Sequence, residues 1–422
     1  MTAGLAAGLA QAAAPEPAAP LTLAQVLAAA RNNLSVALAR ASVDAARADI
    51  LAADHAPLPL LSAKTAAIDL QNGIGGGNLL RDKRIDKSIG LDWTWERGGK
   101  RALRTLAAER SAEAAAADLD DARLQQQLAA LGAYVDLLAS QQRLAELEAI
   151  ALSAAQLAAT AQRRVKAGDL AAQDANRSEI EARRVRLDVD LAELDRERAA
   201  LALAGLIGSP APAGLRVAAD WPTGRFSPPG AAAADIGSLV EGRSDVRAAE
   251  ARVQAALATR DGALALKKSD ITWGTSVDHF PGTSTRQVEL RLQMPLQWGY
   301  AQQGETGRAQ ALLAQARDTA LRTRLLAAHE LQRLQRESLA LAARAQAHVN
   351  DIVPRARRAT ELAELAYSRG ALPLTDLLDA RRTLRSSLLD ALAARADQAK
   401  AAGAWQLRTV GDLPAAAPVT AP

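Results

Sequence analysis

Twice in this chain a strictly alternating segment runs into a glycine break and leaves it as a long alanine-rich stretch. The first copy, Ile85 to Arg101, reads I-D-K-S-I-G-L-D-W-T-W-E-R-G-G-K-R. Ile89, Leu91, Trp93 and Trp95 fall on one side, with Ser88, Gly90, Asp92, Thr94 and Glu96 on the other, the period of a strand with one apolar face. Gly98 and Gly99 end the alternation, and from Lys100 onward Ala, Leu, Arg and Glu give a strong helix composition. In the second copy Val288, Leu290, Leu292, Met294, Leu296 and Trp298 alternate with Gln287, Glu289, Arg291, Gln293, Pro295 and Gln297 before Gly299. Aligning Ile89 with Leu290 and Trp93 with Met294 sets an offset of about 201 residues, the mark of an internal duplication.

The rest of the chain falls into place around these junctions. Leu21 to Arg31 reads as a short amphipathic helix, and Leu34 to about His55 continues helically until Pro57 and Pro59 end it. Leu60 to Leu70 reads as a strand and Q-N-G-I-G-G-G-N as a loop. The helix from Lys100 to about Lys166 would be on the order of 100 Å long. Leu124, Leu128, Leu131, Val135 and Leu138 give it a coiled-coil seam. After a tip at Gly168, a returning helix passes Ile180, Leu187, Leu191 and Leu194 to about Ile207. The second copy repeats helix, strands 271–280 and 287–298, a helix from Gln302 to about Ser368, a tip and a final helix. Its seam is Leu331, Leu334, Ser338, Leu341, Ala345, His348 and Ile352. The expected organisation is a signal-like or disordered segment 1–20, a first repeat 21–208, a Pro/Gly-rich linker 209–233, a second repeat 234–411 and a disordered tail 412–422.

Composition removes whole classes of function. Aromatic residues make up 3% of a chain that is 49% hydrophobic, which suits slender helices packed side by side. The net charge is only +4, with both signs interspersed, so no nucleic-acid stripe is present. Cysteine is absent, and four scattered His and two Met leave no soft-metal site within one chain. Gly98 to Arg101 lacks the spacing of a phosphate loop, no H-E-x-x-H pattern occurs, and neither a cofactor site nor a catalytic constellation is found. No run reads as apolar enough for a transmembrane helix, so contact with a bilayer would fall to the strands. The N-terminus, M-T-A-G-L-A-A-G-L-A-Q-A-A-A-P-E-P, resembles the rear of a secretory signal without its basic start.

Strands of this length can cross a bilayer at a tilt, but four per chain leave two open edges, which lipid does not tolerate. A barrel assembled from several copies removes the edges. Two stretches carry a resemblance: the junction W-E-R-G-G-K-R, and the second tip Y-S-R-G-A-L-P-L-T-D-L-L-D-A-R-R-T-L from Tyr367 to Leu384. The chain resembles the TolC-like outer-membrane efflux factors from Leu21 to Gly411, and the junction is most similar to the branch serving cobalt, zinc and cadmium efflux. The resemblance implies a mainly α protein with a small β part. Three chains would close a twelve-stranded β-barrel in the outer membrane above an α-helical periplasmic tunnel. It also implies a passive homotrimeric duct that contacts outer-membrane lipid, with a periplasmic adaptor and an inner-membrane resistance-nodulation-division pump as partners. A duct for protein or peptide secretion and a soluble coiled-coil scaffold are the competing readings.

Candidate site residues gather at the tips. Asp376 and Asp379, three apart on one helix face, would form stacked carboxylate rings in a trimer, attracting cations and raising one another's pKa. The alternative is an ordinary solvated face. By resemblance, Tyr367 sits at a gating tyrosine position and Asp174 at that of its acidic partner. Leu372 stands where relatives carry a gating arginine, which turns attention to Arg369. Lys166, Gly168, Asp169, Arg369 and Gly370 are adaptor-docking candidates or simply polar turns. Trp93, Trp95 and Trp298 mark either the membrane interface or packed anchors under a helix.

Overall fold

The computed structural model describes residues 19–66, 68, 70–78, 84–209, 214–226, 235–281 and 284–410. The signal-like segment, apart from residues 19 and 20, and the tail after 411 lie outside the described residues. Helices α1 (Leu23–Ala30), α2 (Leu34–Ala53), α3 (Lys100–Lys166), α4 (Ala172–Ile207), α5 (Ile236–Glu241), α6 (Ser244–Ala265), α7 (Gln303–Ala347), α8 (Val353–Ser368) and α9 (Leu374–Thr409) accompany four strands. The strands are β1 (Leu60–Ala66), β2 (Asp86–Trp95), β3 (Ile271–Phe280) and β4 (Ser284–Gln293). The expected composition of long helices with a small β part is what is observed. The chain divides into two compact units, one of Leu38–Asp121 with Val240–Ala327, the other holding the remainder.

The first unit carries the sheet, antiparallel throughout and ordered β1-β2-β3-β4. Its registers place Leu61, Leu91, Thr275 and Leu290 in one row, and Trp93, Trp273 and Leu292 in another. This apolar face is the exposed one, with Leu290 83% accessible. The polar face is crowded instead: Asp278 is 4% accessible, and Asp92 and Arg291 pair at 2.6 Å across Gly274, where a Cβ would collide with both. A Cβ on Gly90 would lie 2.9 Å from the Ser62 hydroxyl. Apolar out and polar in is the pattern of a sheet whose solvent on the outside is lipid.

Two strand ends differ from expectation. β4 stops at Gln293, although the alternation continues to Trp298, because Pro295 has no N–H for the ladder; its carbonyl accepts from Ser269 Oγ at 2.7 Å instead. β1 ends at Ala66, and Leu70, the expected end, lies in a turn.

At the first junction Gly98 and Gly99 take φ of 82° and 71°, which L side chains rarely adopt. The basic residues then tie the start of α3 to its neighbours. Asp270 accepts from Arg97 N at 2.9 Å and Lys100 Nζ at 2.8 Å, while Arg104 donates to Glu96 at 2.9 Å and to the carbonyls of Ala53 and His55. Arg101 donates to Asp54 at 3.0 Å, and this hydrogen bond and charge hold the Asp54 carboxyl below the usual carboxylate range. A lowered folded pKa means that this contribution exists above the ordinary carboxylate value and fades as pH falls through the folded one.

In the second unit a Thr22–Gln25 capping box opens α1, whose Leu23, Val26 and Leu27 pack with Leu131, Val135 and Leu138 of α3 and with Leu203 of α4. Residues 214–226 add Val217 and Phe226 to the same core, and Val217 pairs in parallel with Leu21. On α9, Gly403 allows close approach, since a Cβ there would meet Leu131 at 2.5 Å and Phe226 at 3.0 Å. The expected helix from Gln302 to Ser368 is helical throughout but contains a π turn at His348–Ile352, just before Pro354, whose ring nitrogen has no proton to donate. Of its seam, Leu331, Leu334, Ser338 and Ala345 are buried, while Ile352 at the end of the π turn is exposed.

One reading is corrected here. One window of α3 is, by composition, long and apolar enough to cross a bilayer, contrary to the expectation of none. It lies within a helix of 67 residues, against about 20 for a crossing. The residues by which α4 was traced, Ile180, Leu187, Leu191 and Leu194, are exposed, with Leu187 67% accessible. The buried stripe is Ala175, Ser178, Glu181, Val185, Val189 and Ala192, smaller residues that let helices approach closely.

Candidate constriction site

Both tips are built by the same local chemistry. At the first, Gly168 (φ 84°) follows α3, with Gly168 N donating to Val165 O and Asp169 N reaching Arg164 O at 2.8 Å. At the second, Gly370 (φ 75°) follows α8, with Gly370 N donating to Tyr367 O and Ala371 N reaching Ala366 O at 2.9 Å. These are helix ends closed through a left-handed glycine. Lys166, Gly168, Asp169, Arg369 and Gly370 are all exposed there, the arrangement that either a docking tip or a polar turn requires.

Helix α9 begins directly after Pro373 and divides its first turns between two faces. Leu374, Leu377 and Leu378 turn inward, packing with Leu157 and Tyr367, and this leaves Asp376 and Asp379 outward and exposed. Asp376 lies in the first helical turn, where the helix dipole favours a carboxylate. Tyr367 is half-buried, and the Arg164 guanidinium sits 5.7 Å over its ring, tying the second tip to the end of α3. Asp174 forms an ion pair with Arg177 at 3.7 Å on its own helix. Among the described residues no hydrogen bond or ion pair joins Asp174 to Tyr367, Arg369, Asp376 or Asp379, so within one chain the structure gathers only part of the expected set.

One turn further along α9 lies a network that sequence reasoning missed. Arg382 donates twice to Glu181 Oε2 on α4, at 2.7 and 3.1 Å; Arg385 meets Asp188 at 3.2 Å and Glu181 at 3.7 Å; Arg381 donates to Glu364 of α8 at 2.7 Å. Glu181 is 8% accessible, and its hydrogen bond holds the Arg382 guanidinium even further above its ordinary pKa, with Asp379 adding a smaller pull. Glu181, Glu364, Arg381 and Arg385 of this network line a cavity of about 230 Å³ between the helices, together with Ile150, Leu157, Val185 and Leu378. The only signal in the sequence was the cluster of three arginines; Glu181, which holds two of them, lies 201 positions away from Arg382.

On the sheet, Trp93 and Trp95 project from the exposed apolar face, and Trp298 is 86% accessible beyond the end of β4. Trp273, not singled out from sequence, stands opposite Trp93 in register and extends the aromatic row. No group of three His, Asp or Glu able to hold a metal occurs among the described residues.

Comparison with known proteins finds similarity to outer-membrane proteins. The model of the outer membrane efflux protein family matches residues 26–209. The cobalt-zinc-cadmium resistance protein CzcC of Cupriavidus metallidurans is 26% identical over 376 residues, covering 87% of this chain and 85% of that protein. Among solved structures, a membrane protein from Pseudomonas aeruginosa superposes with a TM-score of 0.79 at 20% identity, covering 92% of each chain. The outer membrane protein VceC of Vibrio cholerae gives 0.75 at 18% identity, over 92% of this chain and 96% of that one.

Proposed function

We propose that this chain, a TolC-like outer-membrane efflux protein, is the exit duct of a tripartite system that carries heavy-metal cations out of the cell. The protein is a channel of the outer membrane extending into the periplasm, and the energy comes from elsewhere. In this reading a periplasmic adaptor docks on the tips around Lys166, Gly168, Asp169 and Gly370, and an inner-membrane resistance-nodulation-division pump drives transport. Asp376 and Asp379 from each chain line the narrowest point, with Tyr367 and Arg369 beside them and Asp174 on the neighbouring hairpin.

The observation that carries this reading is the inverted sheet. Its exposed face is leucine, valine and tryptophan, its covered face holds an Asp–Arg pair, and β1 and β4 offer free edges. Three copies joined edge to edge would satisfy both edges in lipid. Cation cargo is supported by the exposed carboxylates of α9 and by the name of the metal-resistance relative. A test is to express the full chain, separate the inner and outer membranes, and size the detergent-extracted protein by light scattering corrected for bound detergent. A trimer in the outer-membrane fraction is expected; a water-soluble monomer or dimer would overturn the barrel.

A further inference from the structure

The three arginines of α9 present a charge-matching problem. Arg381 is occupied by Glu364, and Arg385 has Asp188 as its nearer acid. Arg382 is held by Glu181 of α4, and its other reachable acid is Asp379, three residues back on the same helix. An acid preceding an arginine by one turn is a favourable pair on an exposed helix face. Asp379 has no hydrogen bond or ion pair to its carboxylate among the described residues, although Arg382 is nearly half exposed and on a flexible stem.

We propose that Glu181 is a positioning residue for the constriction: by holding Arg382 against α4, it keeps that guanidinium off Asp379 and so preserves the negative charge the channel presents to cations. The inference rests on the constriction reading above and adds to it a nearly buried residue on a different helix. Glu181 is suited to the task because it is almost buried, flanked by Val185 and Ser178 on the packed stripe of α4, and accepts both donors of Arg382 on one oxygen. A nearly buried carboxylate and the guanidinium it holds fix each other's geometry, since losing either partner would leave the other uncompensated. Once that hold is lost, Arg382 falls back on the neighbour its own helix provides.

The test uses the assembled full-length channel in planar bilayers, with block of single-channel current by Mg²⁺ as the readout. Glu181→Gln is expected to raise the half-blocking concentration roughly three- to tenfold, because a partial pairing of Asp379 with Arg382 is repeated in every chain of the assembly. The double variant Glu181→Gln with Arg382→Gln is expected to return to within about twofold of the original channel, since no cation remains to be handed over. A purely structural role for Glu181 would not be rescued this way, and failure of the rescue overturns the proposal, as does an unchanged Glu181→Gln channel. Arg382→Gln alone reads the same step from the other side even if Glu181→Gln does not assemble: block as strong as in the original channel, or stronger, is expected, and weaker block overturns the proposal. Asp379→Asn is measured alongside. If Asp379→Asn weakens block while Glu181→Gln does not, only the present proposal falls; if Asp379→Asn leaves block unchanged, the constriction reading falls and takes this proposal with it.

Discussion

The two helical hairpins close through the same glycine turn and yet differ in everything around it. The first ascends as α3, an uninterrupted helix of 67 residues, and buries Ala158, Ala161 and Ala175 near its tip. Its acid, Asp174, is neutralised by Arg177 on its own helix. The second ascends as α7 and α8, interrupted by the π turn at His348–Ile352 and by Pro354, and packs its tip with Leu374, Leu377 and Leu378. Its acids, Asp376 and Asp379, form no ion pair among the described residues, while the arginines beside them bind elsewhere. Alanine faces allow close helix packing, whereas the leucine tip under a broken helix is anchored through larger side chains, including Leu157 of α3. In the proposed channel the first hairpin serves as the scaffold and the second carries the constriction.

The largest difference to probe is in the tip cores. Leu377→Ala is expected to cost about 2–5 kcal/mol, because it empties the centre of the leucine cluster under Tyr367. Ala161→Gly in the first tip is expected to cost only about 1 kcal/mol, mostly backbone entropy. Thermal unfolding of the purified assembly, followed by circular dichroism, compares the two; equal losses would erase the distinction between an alanine tip and a leucine tip. A smaller effect concerns the helix interruption. Amides around His348–Ile352 are expected to exchange with deuterium about tenfold faster than those at Leu131–Leu138 in α3, since a π turn and a proline weaken local protection. Equal protection would make the two ascending helices equivalent.

Much of this architecture was legible in the residues. The alternation around Trp93 and the glycine pair at 98 and 99 located β2 and the start of α3, because strand period and helix composition are local properties. Pro295 should have ended β4 earlier than the apolar alternation indicated, since a missing N–H outweighs a matching pattern. On α4 two rows of residues were apolar enough to be buried, and only the packed structure shows that the small-residue row lies against its neighbours and the leucine row outward. The acidic pair of α9 was visible as spacing, but that no ion pair reaches it among the described residues was not. That fact depends on where Arg381, Arg382 and Arg385 send their charges, and each target lies on another helix. The Asp92–Arg291 pair across Gly274 was hidden for the same reason, because it requires the register of three strands.

The comparison of hairpins is tested most directly by single-channel recording of Asp376→Asn with Asp379→Asn against Asp174→Asn, both in planar bilayers under graded Mg²⁺. Loss of cation block in the α9 double variant, with block retained in Asp174→Asn, is the expected result and places the constriction on the second hairpin. Block that survives in the α9 variant, or that disappears in Asp174→Asn alone, would contradict it.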